Sequence, residues 1–552
     1  MDNRAEKAIT YFYRTGNRIV KIVGGVIFLL LTWYSFRYTY YMEPGGDEIP
    51  VNMVDSMQGN LLALATALAV LAVLMILENH TDRKVQMIVR RVTLLVAMLW
   101  VGAVSLWWIF SADRIPEGDQ AFIYGGASYF IEGDFAFLSA PSAYCGFYPH
   151  QLGLIALMEL LFDIVGTYNY QAFEYLCAAM AVGIVYLGYR VISELTDSTA
   201  AVVAYDLLML GCLPLIFYTP WVYGDVPSIF FALLAGWMIL QYSRKEKIRY
   251  LILTACAVVL SVLVRKHTLI LIVAFGIAAV MYALKRKNWK IVVAFLLTAA
   301  LSYGAYQGIY KMYEVRSGYQ HYKGIPISAW LAMGMQESKG RYGWYNGYPK
   351  QVLSDLDYDF DKAAQAAKEE MRARMLVFRE NPEYTRMFYR EKILSQWNQP
   401  LYQSIYFNTK YTENLEPAEG TLAARMSGDL YFMALAISNR LQFIVFFGMM
   451  CYFFFAVEKD DNILRHVLAV TFIGGFLFSV IFEAKSRYIL PYYVMMFPFA
   501  VYGAEQAVRK IAYAFLKIYQ RIQYKLPQKA YVSQEEYMPR EEYASQEEYV
   551  QQ

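Results

Sequence analysis

The sequence predicts an all-α polytopic membrane protein with about twelve membrane-spanning helices, and three observations carry that expectation. Of its 552 residues, 58% are hydrophobic and only 18% are charged, against about a quarter charged in a soluble protein of this size. Apolar runs of near-membrane length recur at residues 19–41, 59–78, 92–110, 172–190, 201–219, 226–242, 250–265, 268–284, 291–310, 431–456, 466–482 and 489–508, and a helix of about 20 such residues crosses the hydrocarbon layer. Lys and Arg gather in alternate connections, as they do on the cytoplasmic side of a membrane.

Taken in chain order, the N-terminal stretch "MDNRAEKAITYFYRTGNRIVK" is charged, and no small-residue cleavage site follows its apolar run. It reads as a retained anchor rather than a signal peptide. The connections 82–91, 243–249 and 285–290 and the stretch 509–529 are basic, and loop 42–58 has four acids and no base. Both termini are therefore expected in the cytoplasm, with loop 42–58 outside. "EKDDNILR" (458–465) falls inside by parity but is mixed in charge.

"QLGLIALMELLFDIVG" (151–166) is apolar enough to suggest a further span. If it crossed, the basic loops 243–249 and 285–290 would lie outside, and Glu159 and Asp163 would sit in hydrocarbon at high cost. It is expected to lie along the outer interface.

Five parts follow: an extra transmembrane pair (1–91), a transmembrane core (92–310) with a long first outer loop (111–171), an extracytoplasmic helical domain (311–430), C-terminal transmembrane helices (431–508) and a cytoplasmic basic segment with an acidic tail (509–552). Within 311–430, "DKAAQAAKEEMRARMLVFREN" (361–381) has helical spacing, with Met371, Met375, Leu376 and Phe378 as its apolar side and Asn381-Pro382 as a stop. The tail repeats "EEY" three times and reads as disordered and solubilising, with tyrosine phosphorylation or partner docking as the second reading.

Five cysteines without CxxC spacing exclude a zinc ribbon or a disulfide framework. Cys177, Cys212, Cys256 and Cys451 lie in apolar runs as packing residues; Cys145 lies in a polar stretch, where a thiol nucleophile is the minor reading. The net charge of +3 decides nothing as a sum, and no nucleic-acid partner is expected.

Polar groups gather at the outer turns. Asp119 and Gln120 follow the third span, and His150 stands in "YPHQLG". Asp225 lies in "YTPWVYGDVPS"; Arg265, Lys266 and His267 lie in one tight turn; Glu483, Lys485, Arg487 and Tyr488 lie in the last one. Outer turns are normally poor in Lys and Arg, yet 265–266 and 485–487 hold two each. Bases kept on that side point to an anion, a phosphate or pyrophosphate at the membrane surface. A carboxylate facing a held phosphate suggests group transfer, the acid taking a proton from an attacking hydroxyl.

These residues resemble a family. The Asp119-Gln120 pair stands where a "DE"-like pair is found; "YFIEGDF" and "YPHQLG" follow as a "Y…G-D-F" element and a "PPL"-like approach to the next helix. Asp225 matches a second acidic turn, Lys266 a "tK" turn, and Glu483, Arg487, Tyr488 and Pro491 a late "E…RY…P" element. Over residues 92–310 and 466–508 the chain is similar to the GT-C superfamily of integral membrane glycosyltransferases, closest to family 39, the protein O-mannosyltransferase and aminoarabinose-transferase branch.

The resemblance implies a GT-C-like helical bundle and a polyprenyl-phosphate sugar donor. It implies Asp119, with Asp225, as catalytic residues, Asp119 being the base that activates an acceptor hydroxyl. Arg265, Lys266, Arg487 and Tyr488 would hold the donor phosphate, with inversion at the sugar carbon. Gln120, His150 and Glu483 are further site candidates. The acceptor would be a protein, a glycopolymer or a lipid, and the setting a bacterial plasma membrane. Some relatives use a divalent metal; Asp119, Asp225 and His150 could supply ligands but lack ligand spacing, so no essential metal or other cofactor is expected. The chain departs from the family pattern at Gln120, at "PHQ", in its two leading spans and in 311–430, where Trp330, Tyr342, Trp344 and Tyr345 could stack on sugars or pack the domain. The alternatives are a transporter or flippase of polyprenyl-linked glycans and a surface-polysaccharide polymerase or ligase.

Overall fold

The computed structural model describes residues 3–43, 48–112, 115–409, 422–456 and 462–525, and it is nearly all helical. Among the described residues nine helices are long and apolar enough to cross a membrane: Lys7–Arg37, Met57–Asn79, Arg83–Ala112, Tyr170–Leu195, Asp225–Lys245, Lys266–Arg286, Lys290–Ser317, Asp429–Phe455 and Ile463–Ile481. These mark the chain as a membrane protein. Two further apolar helices, Thr199–Leu210 and Ile248–Val264, are shorter, and Leu490–Lys525 is a long helix with Pro498 inside it.

The expected run 201–219 is not one helix. It breaks after Leu210, and a short helix Leu213–Phe217 follows. Pro214 lacks the N–H that would continue the ladder, so it opens a new helix instead. Thr199–Leu210 spans about 18 Å at 1.5 Å per residue, less than the ~30 Å hydrocarbon layer. Leu152–Val165 is likewise short, and packs Ile155, Met158 and Phe162 into the core. Its Glu159 is bonded by Arg316 Nη1 at 2.7 Å, which offsets the cost of burying the acid.

The first helix ends at Arg37, and the chain turns into a two-stranded antiparallel hairpin, Tyr38–Tyr41 with Val51–Val54, with Tyr38 opposite Val54. The β-branched and aromatic content of both strands suits this pairing; hydropathy alone had carried the first helix through residue 41. Tyr40 N–H donates to the Asn398 carbonyl at 2.8 Å, tying the hairpin to the segment 319–409. The first helix also packs on Asp429–Phe455, where Phe28 stacks on Phe453 with ring centroids 5.5 Å apart.

Within 319–409, Phe360–Glu380 is the expected helix, capped by Asp359 Oδ1, which accepts from the Asp361 and Lys362 N–H groups at 3.0 Å. Pro382 begins the next helix, Pro382–Trp397. The apolar side of Phe360–Glu380 is met in part: Phe378 is buried and Met371 packs on the buried clusters around Ala367 and Phe388 as expected, whereas Met375 and Leu376 are exposed and Ala363 and Ala367 are buried instead, because small alanines let the neighbouring helix Ile327–Met333 approach along the 363–367 side. Residues through Glu505 form one compact unit that includes 319–409. Gln506 opens a second unit, helical through Lys525. The EEY tail and residues 458–461 lie outside the described residues.

Candidate functional site

Two of the turns are built alike. Arg265 is extended (φ −156°, ψ 106°) and leads into a 3₁₀ turn, Lys266–Thr268, that opens the next helix. Lys485 is extended (φ −161°, ψ 124°) and leads into a 3₁₀ turn, Ser486–Tyr488. A third 3₁₀ turn, Pro149–Gln151, opens the helix Leu152–Val165. Each sharp turn points polar side chains of adjacent residues into one space rather than along a helix face. The three turns meet, with the start of the helix Asp119–Ile131, around one cavity of about 800 Å³.

Asp119, His150, Arg265, Lys266, Glu483, Arg487 and Tyr488 all line that cavity. Two of the sequence candidates, Asp225 and Gln120, are not on its wall. Asp225 is fully buried and takes Arg265 Nη1 at 2.8 Å and Trp221 Nε1 at 3.1 Å on Oδ2. Arg487 Nε lies 3.5 Å from Oδ1 as an ion pair. One carboxylate thus serves two nearly buried guanidiniums, which is how such charges are tolerated away from water. The rings of Tyr223 and Tyr488 lie 5.3 and 5.5 Å from the Arg265 guanidinium, and Tyr223 lies 4.5 Å from that of Arg487, which adds cation–π attraction. A Cβ on Gly224 would run into the Val264 carbonyl, so glycine there lets the Asp225 helix and the Arg265 turn come together. Gln120 Oε1 accepts from the Val222 N–H at 2.8 Å, which ties the Asp119 helix to the loop carrying Trp221 and Tyr223.

Asp119 is the first residue of its helix, and Gly118 before it has φ +57° and ψ −129°, a backbone state that favours glycine. The turn leaves Asp119 exposed on the cavity wall, and among the described residues no side chain or backbone group bonds its carboxylate. The hydroxyls of Tyr148 and Tyr345 are raised above the ordinary range by burial first, with the Asp119 charge among the additional causes.

Lys266 is exposed in the cavity and has no carboxylate partner among the described residues. Burial, reinforced by Lys266 and Arg265, lowers His150 to about 3, so its imidazole is neutral near pH 7. Burial raises the Glu483 carboxyl despite Lys485 nearby; Glu483 accepts from the Tyr488 hydroxyl at 2.9 Å. Arg265 Nε donates to His267 Nδ1 at 3.0 Å.

Some of the site was missed in the sequence. Glu48, from the loop of the N-terminal hairpin, pairs with Lys485 Nζ at 2.9 Å and accepts from Gln403 Nε2 at 2.6 Å. Gln403 Oε1 in turn accepts from the Arg487 N–H at 3.2 Å. Burial would raise Glu48, but Lys485, Gln403 and Arg487 together hold it below its usual range. Gln151 bonds the Tyr223 hydroxyl. No spacing rule reaches such partners, since they come from segments 72 residues apart or more. Of the four aromatics noted in 311–430, Trp330 and Tyr345 line the cavity. Trp344 is buried with Nε1 donating to Ser395 Oγ at 3.0 Å, and Tyr342 packs edge-on against Phe388. Cys145 is buried and its thiol is pushed up to about 12, which leaves no thiolate to act as a nucleophile. Among the described residues no three His, Cys, Asp or Glu side chains gather as a metal-ligand group.

No family model matches the chain, and no curated protein matches it in sequence.

Proposed function

We propose that the protein is an integral membrane glycosyltransferase that takes a sugar from a polyprenyl-phosphate donor and transfers it, with inversion, to an acceptor hydroxyl on the extracytoplasmic face. One observation carries the reading: an unbonded carboxylate, Asp119, shares a cavity with the cations Arg265, Lys266 and Arg487.

In this reading the donor phosphate docks on Lys266, which lacks a carboxylate partner, beside the guanidiniums of Arg265 and Arg487. Asp225 fixes those guanidiniums and does not itself meet substrate, so it is a positioning residue rather than a second catalytic acid. The acceptor hydroxyl oxygen forms a bond to the sugar's anomeric carbon as Asp119 takes its proton. The bond from that carbon to the phosphate oxygen breaks on the opposite side, and the electron pair leaves with the polyprenyl phosphate. Cations already in place stabilise the charge that grows on the leaving phosphate without reorganising at the moment of reaction. Neutral His150 adds no charge to the wall and is able to donate one hydrogen bond to phosphate or sugar. The cavity wall also includes Leu269, Ile270 and Phe478, apolar side chains suited to the first isoprene units of a lipid.

The test is transfer of labelled sugar from a polyprenyl-phosphate donor by membranes carrying the D119N variant. Transfer should fall by about 10²–10⁴-fold, the usual worth of a general base. Full retention of transfer removes Asp119 from the chemistry and the reading with it.

A further inference from the structure

The cavity has cations at two places, and the donor phosphate accounts for one. Arg265, Lys266 and Arg487 belong to turns that open or close membrane-length helices. Lys323 and Lys350 also line the cavity but come from the segment 319–409. Lys350 Nζ stands 5.2 Å from the ring centres of both Phe147 and Tyr148, and the Tyr148 and His150 rings are 6.2 Å apart, while His150 feels the charges of Lys266 and Arg265.

The Lys350 ammonium has no carboxylate or hydrogen-bond partner among the described residues. Lys323 Nζ stands 5.0 Å from the Phe360 ring centre, and its one carboxylate partner among the described residues is Asp361, at 3.7 Å with both side chains exposed, a pair of little energetic weight. The backbone that carries Lys323 is fixed. Ile325 N–H donates to the Phe147 carbonyl at 3.1 Å, and Gly324, at φ +76°, packs so closely on Pro149 that a Cβ would meet its ring at 2.6 Å. The loop carrying Lys323 is thereby locked to the turn beneath Lys350. The same cavity wall carries Trp330 and Tyr345, ring centroids 6.3 Å apart, with Tyr148 6.3 Å from Trp330, and Tyr148 and Tyr345 are near enough to Asp119 to feel its charge. Aromatic rings with a polar edge suit the apolar C–H faces and hydroxyls of a sugar.

We infer that this end of the cavity is an acceptor subsite for an anionic glycan, with the sugar against Trp330 and Tyr345 and its carboxylate or phosphate on Lys350 and Lys323. The inference rests on the transferase reading and deepens it, since it names the class of molecule that brings the hydroxyl to Asp119. A donor carrying one phosphate leaves these lysines unused. A diphosphate-linked donor would instead reach for them, and the experiment separates the two.

The full-length protein in nanodiscs is titrated by calorimetry with trigalacturonate, with maltotriose bearing one phosphate, with unmodified maltotriose and with a polyprenyl phosphate. At least one charged glycan should bind about tenfold or more tightly than maltotriose, the worth of one charge-assisted contact. That preference should weaken in high salt and disappear in K350M/K323M, a variant that keeps the apolar stems. Whichever charged glycan shows the preference tells carboxylate from phosphate. K266M should weaken the polyprenyl phosphate and leave the glycan preference in place. Equal binding of charged and neutral glycans, or no binding of any charged glycan, overturns the inference. So does a K350M/K323M loss that falls on polyprenyl phosphate as heavily as on glycan, because the lysines then serve the donor. If the wild-type protein binds a charged glycan but no polyprenyl phosphate, the donor assignment fails while the glycan subsite stands.

Discussion

Asp119 and Asp225 begin alike and end in opposite conditions. Each follows a glycine and is the first residue of a helix, Asp119–Ile131 and Asp225–Lys245, where the helix N-terminus favours a carboxylate. Asp225 is fully buried and holds Arg265 and Arg487; Asp119 is exposed to the cavity and bonded to nothing among the described residues. A carboxylate paired with two guanidiniums serves as an anchor for them. One left without partners keeps its lone pairs for a substrate. The local sequence "GD" is shared, so the difference in role comes wholly from what the fold brings beside each residue.

That contrast can be broken or sharpened by substitution. The largest effect belongs to D119N, where transfer should drop by about 10²–10⁴-fold while the thermal unfolding midpoint in detergent stays nearly fixed, as for exposed substitutions within about 0.5 kcal/mol. A large fall in that midpoint would mean that Asp119 has structural partners after all. D225A should do the converse, destabilising the protein by about 3–5 kcal/mol because two buried guanidiniums lose their counter-charge; a stable D225A protein would show that the ring stacking on Tyr223 suffices. Gln120, the neighbour of Asp119, should behave like the anchor rather than the base. Q120L leaves the Val222 N–H without an acceptor and should cost about 1–3 kcal/mol in unfolding measurements, with the KM for donor changing more than any proton-dependent rate.

The smallest effect is a pH dependence. His150 has its folded pKa lowered to about 3 from an ordinary 6.5. Below pH 6.5 the unfolded chain therefore binds a proton that the folded chain refuses, so stability is full above that pH and declines as pH falls toward 3. Unfolding midpoints measured from pH 7.5 to pH 5 should decline more steeply for wild type than for H150Q. Identical slopes would place His150 outside the linkage.

How much of this was legible beforehand divides along physical lines. Composition and apolar run length determined that the chain is a helical membrane protein, because a lipid interior selects for long apolar helices over many residues at once. Excess bases in turns 265–266 and 485–487 singled out residues that the structure gathers on one cavity wall, Arg265, Lys266, Lys485 and Arg487. Glycine and proline punctuation located the helix stop at Asn381-Pro382. What the sequence could not decide was partnership. The break at Pro214, the strand pairing of Tyr38–Tyr41 with Val51–Val54, the reach of Glu48 to Lys485, the union of Asp225 with two arginines and the solitude of Asp119 all depend on which distant segments become neighbours. Hydropathy and spacing are properties of a chain and its solvent. A side chain's role in a pocket is a property of the groups packed around it, and only the tertiary structure supplies those.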